Sequence, residues 1–238
     1  MNFKKLSVLF CSLLALTSVM AVSAAETETV SETEAASAEE STVSVADEET
    51  EYPITIQHAY GETVIESKPE RIATVGWENQ DTPLALGIAP VGVSAANYGM
   101  VTENNLHPWT DEAFQELGVD APNVFDDVDG LDFEAISDCD PDVILASYSG
   151  LTQEDYDTLS QIAPVIPYKE NAWQTTWRDQ TIENAEGMGM KAEGEAKVAE
   201  VEQLIQDRLA EYPDLKGTKT ALDRKSTRLN SSHSQQSR

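Results

Sequence analysis

The sequence predicts an α/β fold: a mostly parallel β-sheet with helices on both faces, followed by a long helix. Two observations support this prediction. From Tyr52 onward, short apolar segments alternate with stretches of helical periodicity, which is the pattern of parallel strands joined by crossover helices. Residues 193–211 then place apolar side chains at helical spacing with charged side chains between them, which indicates one amphipathic helix. That helix would span roughly 28 Å, about one domain diameter.

The strand and helix candidates occur in a regular order. The first two strands, residues 54–56 and 63–65, form a hairpin joined through residues 60–62. The following strand candidates are residues 71–75, 91–95, 123–125, 142–147 and 165–168. The helix candidates between them are residues 80–86, 111–117, 133–139 and 153–162. These elements define an N-terminal ligand-binding lobe over residues 52–170.

A helical segment over residues 171–213 follows this lobe. Its first helix runs from residue 173 to about residue 188, and Gly187 and Gly189 mark the break before the second helix. Pro213 and Gly217 end the long helix. Residues 214–222 are predicted to begin a second lobe, with residues 218–222 as its first strand.

The amino terminus has the layout of an exported protein. Lys4 and Lys5 precede an apolar run and a group of small residues, which predicts a secretory signal over residues 1–25. Cys11 lies inside that run. A lipid-anchor site requires a small residue before its cysteine, but Phe10 precedes Cys11, so Cys11 is interpreted as part of the signal. Residues 26–51 contain no aromatic residue and many acidic ones, so they predict a disordered acidic linker. The predicted location is therefore outside the cytoplasmic membrane, in a periplasm or at the cell surface.

Charge and cysteine content exclude two further possibilities. The chain has 43 acidic and 15 basic residues, a formal net charge of -28, which argues against binding of nucleic acid because that affinity depends on Lys and Arg at phosphates. Once the predicted signal is removed, Cys139 is the only cysteine, so an intramolecular disulfide is impossible. Stability must come from a packed core.

Candidate ligand-binding residues follow the predicted strands. Ligands of parallel sheets bind in the crevice beyond the carboxyl ends of the strands. Aromatic and small polar residues cluster at these ends, as expected for a pocket with apolar walls, although any one aromatic alone could equally be core packing. The candidates are Trp77, Glu78, Asn79, Tyr98, Tyr148, Ser149 and Gly150.

A series of short motifs resembles one known family. They are KPERI at residues 68–72, ALG at 85–87 with PVGV at 90–93, FEAI at 133–136 with PDVI at 141–144, and LS at 159–160 with IAP at 162–164. Together they are similar to the successive signatures of iron-siderophore substrate-binding proteins of ABC importers. The resemblance implies two α/β lobes joined by one long helix, with an Fe(III)-siderophore complex clamped between them, a membrane permease as partner, no cofactor and no enzymatic activity.

The same resemblance adds further site residues. Residues 148–152 and 173–179 are similar to a ferric-siderophore subgroup, which adds Trp173, Trp177 and Arg178 to the expected ligand-binding residues. Trp173 and Trp177 are predicted to lie on one helix and face the same way. Glu134 is expected to be an exposed acid that pairs with an arginine of the permease, although it could equally be an ordinary helix glutamate that complements the helix dipole. The protein is expected to be a monomer.

The end of the sequence departs from the family pattern. Residues 223–238 show no apolar periodicity and reverse the charge balance of the preceding residues. They resemble translated adapter sequence, so the interpretation is a non-native tail and a second lobe that is largely missing.

Other functions were weighed against the same residues. Ser149 lacks the flanking glycines of a nucleophile elbow, and His58, His107 and His233 are scattered, so an envelope hydrolase has little support. A surface adhesin would suit the acidic linker, but no repeats are visible. A cobalamin or haem binding protein of the same fold remains open, with Tyr98 or Tyr148 as an axial ligand of haem. The class of siderophore, catecholate or hydroxamate, also remains open.

Overall fold

The computed structural model describes residues 50–219, and seven strands lie within them. The first two form an antiparallel hairpin, and the other five form a parallel sheet in the order β5-β4-β3-β6-β7. The strands are β1 (Ile54–His58), β2 (Gly61–Ile65), β3 (Ile72–Thr74), β4 (Gly92–Ser94), β5 (Val124–Phe125), β6 (Val143–Ala146) and β7 (Val165–Pro167). The predicted signal, nearly all of the linker and the tail lie outside the described residues.

Helices alternate with the strands of the parallel sheet, as the sequence predicts. They are α1 (Asp81–Ala85), α2 (Pro108–Glu116), α3 (Phe133–Asp138), α4 (Gln153–Leu159), α5 (Trp177–Gly187) and α6 (Lys191–Ala210), followed by a 3-10 turn at Pro213–Leu215. The predicted helix start at residue 173 is wrong, because α5 begins at Trp177. Thr176 caps α5 by accepting a hydrogen bond from Asp179 N. The predicted strand at 218–222 lies almost wholly outside the described residues.

Apolar side chains alternate between the two faces of the sheet. On β6, Val143 and Leu145 join a core that contains Ile56 of the hairpin and Ala185 of α5. The intervening residues of β6, Ile144 and Ala146, join the opposite core with Ile136 of α3 and Leu159 of α4. Helices therefore cover both faces, which confirms the predicted fold class and explains why the central strands are continuous apolar runs.

The hairpin turn is one residue earlier than predicted. His58 pairs with Gly61, so the loop consists of Ala59 and Tyr60 rather than residues 60–62. Gly61 has a φ of +121°, a conformation that residues with a Cβ rarely adopt. The hairpin is tied to the sheet where Thr63 Oγ1 donates a hydrogen bond of 2.7 Å to Val165 O.

The strand order creates a crevice between β3 and β6. From β3 the chain moves outward through β4 to β5 and then returns to β6 on the other side of β3. Crossovers on the two sides of this point leave in opposite directions, which opens a gap above the carboxyl ends of the central strands. The fold thus places the loops after β3 and β6 side by side.

The buried residues of the long helix α6 lie in its first half, where it packs on α5. Gly194 lies against Ala185, where a Cβ would collide, and Val198 is buried beside it. Farther along, Leu204, Ile205 and Leu209 are exposed. No helix among residues 50–219 combines the length and apolar character needed to cross a membrane.

A buried asparagine links the central strands to α5. Asn79 is fully buried, and its Nδ2 donates to Val75 O at 2.8 Å and to Tyr148 O at 3.0 Å. Its Oδ1 accepts hydrogen bonds from Ser147 Oγ at 3.2 Å, Tyr148 N at 3.1 Å, Gln180 Nε2 at 3.3 Å and Asn184 Nδ2 at 3.0 Å. One side chain thus joins the ends of β3 and β6 to the helix that packs below them.

Replacing Asn79 with alanine is expected to lower the free energy of unfolding by about 3 kcal/mol or more, because it leaves several buried donors and acceptors without partners. Urea denaturation measures the loss. Asn123→Ala is the control, since exposed Asn123 donates one hydrogen bond of 2.8 Å to Val91 O and should cost about 1 kcal/mol or less. Equal losses in the two variants would contradict the linking role of Asn79.

Candidate functional site

A cavity of about 370 Å³ lies at the carboxyl edge of the parallel sheet. It opens above the crevice between β3 and β6, where the strand order predicts a ligand site. Its volume falls within the usual range of roughly 300–1,000 Å³ for small-molecule sites. The residues that line it are Gly76, Asn97, Asp127, Val128, Gly130, Leu131, Ser149, Gly150, Leu151, Asp155 and Trp173.

The floor of the cavity is a close approach of two loops. Trp77 N donates to Tyr148 O at 3.1 Å, which continues the pairing of β3 and β6 beyond their ends. Gly76 has a φ of +82°, and a Cβ there would lie 2.8 Å from Ser149 Cβ and 2.9 Å from Tyr148 O. Only glycine fits, because both the conformation and the space exclude a side chain.

Trp173 forms one wall of the cavity. Its ring lies over Gly150, where an added Cβ would come within 2.7 Å of Trp173 Cε2. Tyr148 packs edge-on against the same ring, with centroids 5.5 Å apart. The Trp173 backbone has a φ of +60° and its N–H donates to Ser149 O at 3.1 Å, so the residue belongs to a loop and not to α5. About half of its surface, 53%, is exposed.

Ser149 supplies a polar group to the same cavity. The residue is 1% exposed, and its Oγ has no hydrogen-bond partner among the residues that the structure describes. Most buried hydroxyls in proteins have a partner, so a lone one lining a cavity is available to a ligand or to water.

Two acids are the charged residues of the lining, Asp127 and Asp155. Asp155 is held at the start of α4, where its carboxylate accepts from Thr152 N at 2.9 Å and Thr152 Oγ1 at 2.7 Å. Among residues 50–219, no lysine or arginine lines this cavity. The site is therefore electrostatically negative as well as partly aromatic.

A second aromatic group lies beside the floor. The Trp77 ring is 6.4 Å from that of Tyr98 and 5.7 Å from that of His107. His107 in turn stacks on Trp109 at 4.4 Å, and its Nδ1 lies 3.2 Å from Met100 O. Tyr98 is 66% exposed, so this group presents an open aromatic surface next to the cavity. Glu78 lines a small depression against it, together with Trp77 and His107.

Of the ten residues expected to bind ligand, three line the cavity, four lie beside it and three lie away from it. The lining contains Ser149, Gly150 and Trp173, and the residues beside it are Trp77, Glu78, Tyr98 and Tyr148. Those that lie away from the cavity are Asn79, Trp177 and Arg178. Asn79 is buried beneath it and fully hydrogen-bonded, so its role is to support the floor. The Arg178 guanidinium lies 4.4 Å from the centroid of the Trp177 ring and forms an ion pair with Glu202 of α6. The expectation that Trp173 and Trp177 share one helix face is wrong, because α5 begins after Trp173.

Sequence reasoning missed the two acids and His107. Asp127 and Asp155 have no role among the sequence-based expectations, and His107 enters them only as one of three scattered histidines. The segment His107–Pro108–Trp109 carried a usable signal, since proline at the first helical position fixes the start of α2 and places both rings beside it. Among residues 50–219, no cluster of three or more His, Cys, Asp or Glu side chains could hold a metal ion.

Burial changes the pKa of two acids near the site. Burial, together with the Glu78 carboxylate, raises the pKa of Asp81 to about 7. Burial also raises the pKa of Glu183 on α5 to about 7, although Lys169, whose Nζ is 3.5 Å from its carboxylate, acts in the opposite direction. Asp81 belongs to α1 and Glu183 to α5, and neither residue lines the cavity.

Comparison with known proteins agrees with this architecture. Residues 72–223 match the family described as periplasmic binding protein. The probable siderophore-binding lipoprotein YfiY of Bacillus subtilis (strain 168) is 28% identical over 162 residues, which cover 64% of this chain and 44% of that protein. The Fe(3+)-citrate-binding protein YfmC of the same strain is 28% identical over 158 residues, covering 64% of this chain and 45% of that protein.

Solved structures give the same result, one of them at higher identity. Streptococcus pneumoniae TIGR4 PiaA in complex with ferrichrome is 52% identical with a TM-score of 0.66, over 69% of this chain and 54% of that one. A periplasmic solute binding protein of Mycobacterium smegmatis is 27% identical with a TM-score of 0.61, over 68% and 55%. The chain thus spans about half the length of the relatives that it matches. It belongs to the periplasmic binding protein family, whose members bind solutes and are not enzymes.

Proposed function

We propose that the protein is the extracytoplasmic substrate-binding protein of an ABC importer, which captures a ferric siderophore and delivers it to a membrane permease. The observation that carries this proposal is the cavity at the carboxyl edge of the sheet, walled by Trp173 and floored by Gly76, Ser149 and Gly150. The support from relatives is the PiaA complex with ferrichrome, which is 52% identical to this chain.

The lining favours a ferric hydroxamate over a ferric catecholate. Ferric catecholates are strongly anionic and call for lysine or arginine in the cleft, whereas ferric hydroxamates are nearly neutral and need apolar or aromatic walls with a few hydrogen-bonding groups. Trp173, Leu131 and Leu151 supply such walls, and Ser149 supplies a hydroxyl. Arg178, the cation expected from the sequence, is instead paired with Glu202.

The exposed apolar residues around the cavity are suited to contact a bound ligand and a second protein surface that covers this ligand. Tyr98, Met100, Val101 and Val128 are all exposed on the loops at this edge of the sheet. The family resemblance implies that a second lobe covers the other side of the ligand. Contact with a ligand and such a lobe would bury these side chains, and their exposure would then need no other explanation.

In this proposal, Glu134 is the residue through which the protein docks on the permease. This residue lies in the first turn of α3, is exposed, and makes no ion pair with any residue between 50 and 219. A carboxylate in such a place is available to an arginine of a partner protein. Because α3 follows β5, its first turn lies at the same edge of the sheet as the cavity, so a docked permease would face the ligand.

Trp173→Ala in the full-length protein is expected to weaken binding of ferrichrome by about tenfold, because it removes one wall of the cavity. It should also reduce the quenching of tryptophan fluorescence by the bound chelate. Trp177→Ala is the matched control and should bind nearly as the parent protein does, since its ring packs on Arg178 outside the cavity. If ferric siderophores change neither fluorescence nor melting temperature while cobalamin or haem does, the proposed ligand is wrong.

Glu134→Ala is expected to leave siderophore affinity unchanged and to reduce uptake by cells, because the lost carboxylate lies on the docking surface. Glu154→Ala is the matched control: Glu154 is also exposed and occupies the same position of the first turn of α4, so both variants lose the same interaction with a helix dipole. Radioactive iron uptake measures the difference. Equal uptake by the two variants would remove the docking role of Glu134.

A further inference from the structure

We propose that this cavity selects ferric chelates that carry a positively charged pendant group over neutral chelates of the same shape. The inference rests on the proposed function and adds to it the charge of the preferred substrate. Three features of the lining carry it: two carboxylates, one buried hydroxyl that has no partner between residues 50 and 219, and an exposed aromatic face.

The carboxylates come from two different elements. Asp155 belongs to the first turn of α4, and its bonds to Thr152 hold the carboxylate in place as an acceptor. Asp127 belongs to the loop between β5 and α3, and its carboxylate makes no hydrogen bond to any residue between 50 and 219. One acid is therefore fixed in position, and the other is free to pair with a ligand cation.

The neighbouring basic side chains do not neutralise these acids. The lining as described contains no lysine, arginine or histidine. Lys169, on the loop after β7, pairs with Glu183 at 3.5 Å, and Arg178 pairs with Glu202. A ligand cation would thus meet two carboxylates without competition from these two residues.

Two uncharged groups of the lining favour a cation independently of the acids. Ser149 Oγ is buried and has no partner among the described residues, so it can accept a hydrogen bond from an ammonium group. The Trp173 ring is half exposed and lies against Gly150, the residue that follows Ser149. An aromatic face attracts a cation through its quadrupole, most strongly in tryptophan.

The test compares two ligands that differ in one charge. Ferric desferrioxamine B carries a pendant ammonium group, and its N-acetyl derivative has the same iron centre without the charge. Calorimetry on the full-length protein should show roughly three- to tenfold tighter binding of the ammonium form. The ratio should shrink as salt is added, because salt screens exposed charge pairs.

Variants locate the effect within the site. Asp127→Asn should lower the ratio without abolishing it, because Asp155, Ser149 and Trp173 remain in the lining. Asp129→Asn should retain the full ratio, because Asp129 lies on the same loop and outside the lining. Melting temperatures check that both variants are folded. Equal binding of the two chelates by the parent protein would overturn this inference and leave the proposed function standing. Failure of both chelates and of ferrichrome to bind would overturn both, and an unchanged ratio in Asp127→Asn would overturn the assignment to this acid.

Discussion

The buried amide of Asn79 is the constraint on which the carboxyl edge of the parallel sheet depends. Val75 O and Tyr148 N are backbone groups just beyond β3 and β6, and buried groups of this kind must find hydrogen-bond partners. Asn79 supplies both a donor and an acceptor at this point and connects them to Asn184 on α5. The crevice therefore opens above a fixed base, so the two loops above it keep their relative positions.

Two glycines above Asn79 leave space for the residues that form the floor and the wall of the cavity. Gly76 lets the loop after β3 pass directly against Ser149, and Gly150 lets the Trp173 ring lie on the backbone after β6. Trp173 is held there by a hydrogen bond from its N–H to Ser149 O and by a left-handed backbone. The shape of the cavity is thus built from backbone contacts, which is the kind of preorganisation that lowers the cost of ligand binding.

Local sequence patterns predicted most of the helices and strands. The features that these patterns missed depend mainly on contacts between residues far apart in the sequence. Strands such as β6 and helices such as α6 follow from the spacing of their own apolar residues. The start of α5 also had a local signal, Thr176 three residues before Asp179, which marks a helix cap better than Trp173 does. In contrast, the burial of Asn79 requires α5 to return beneath the sheet, and no property of the residues beside Asn79 reveals it.

The acidic side chains of this protein can act on a ligand in two ways, at long range during its approach and at short range inside the cavity. The formal net charge of -28 belongs to the whole sequence, and screening limits its reach to roughly 8–10 Å at physiological ionic strength. Most of these carboxylates would therefore influence how fast a charged ligand arrives and not how firmly it is held. Asp127 and Asp155 differ because they line the cavity beside Trp173, where reduced access of water strengthens their interaction with a bound charge. The composition of the chain argues against nucleic acid as a partner. The choice among small ligands depends instead on a few residues, such as Asp127, Asp155 and Trp173, that only the fold brings together.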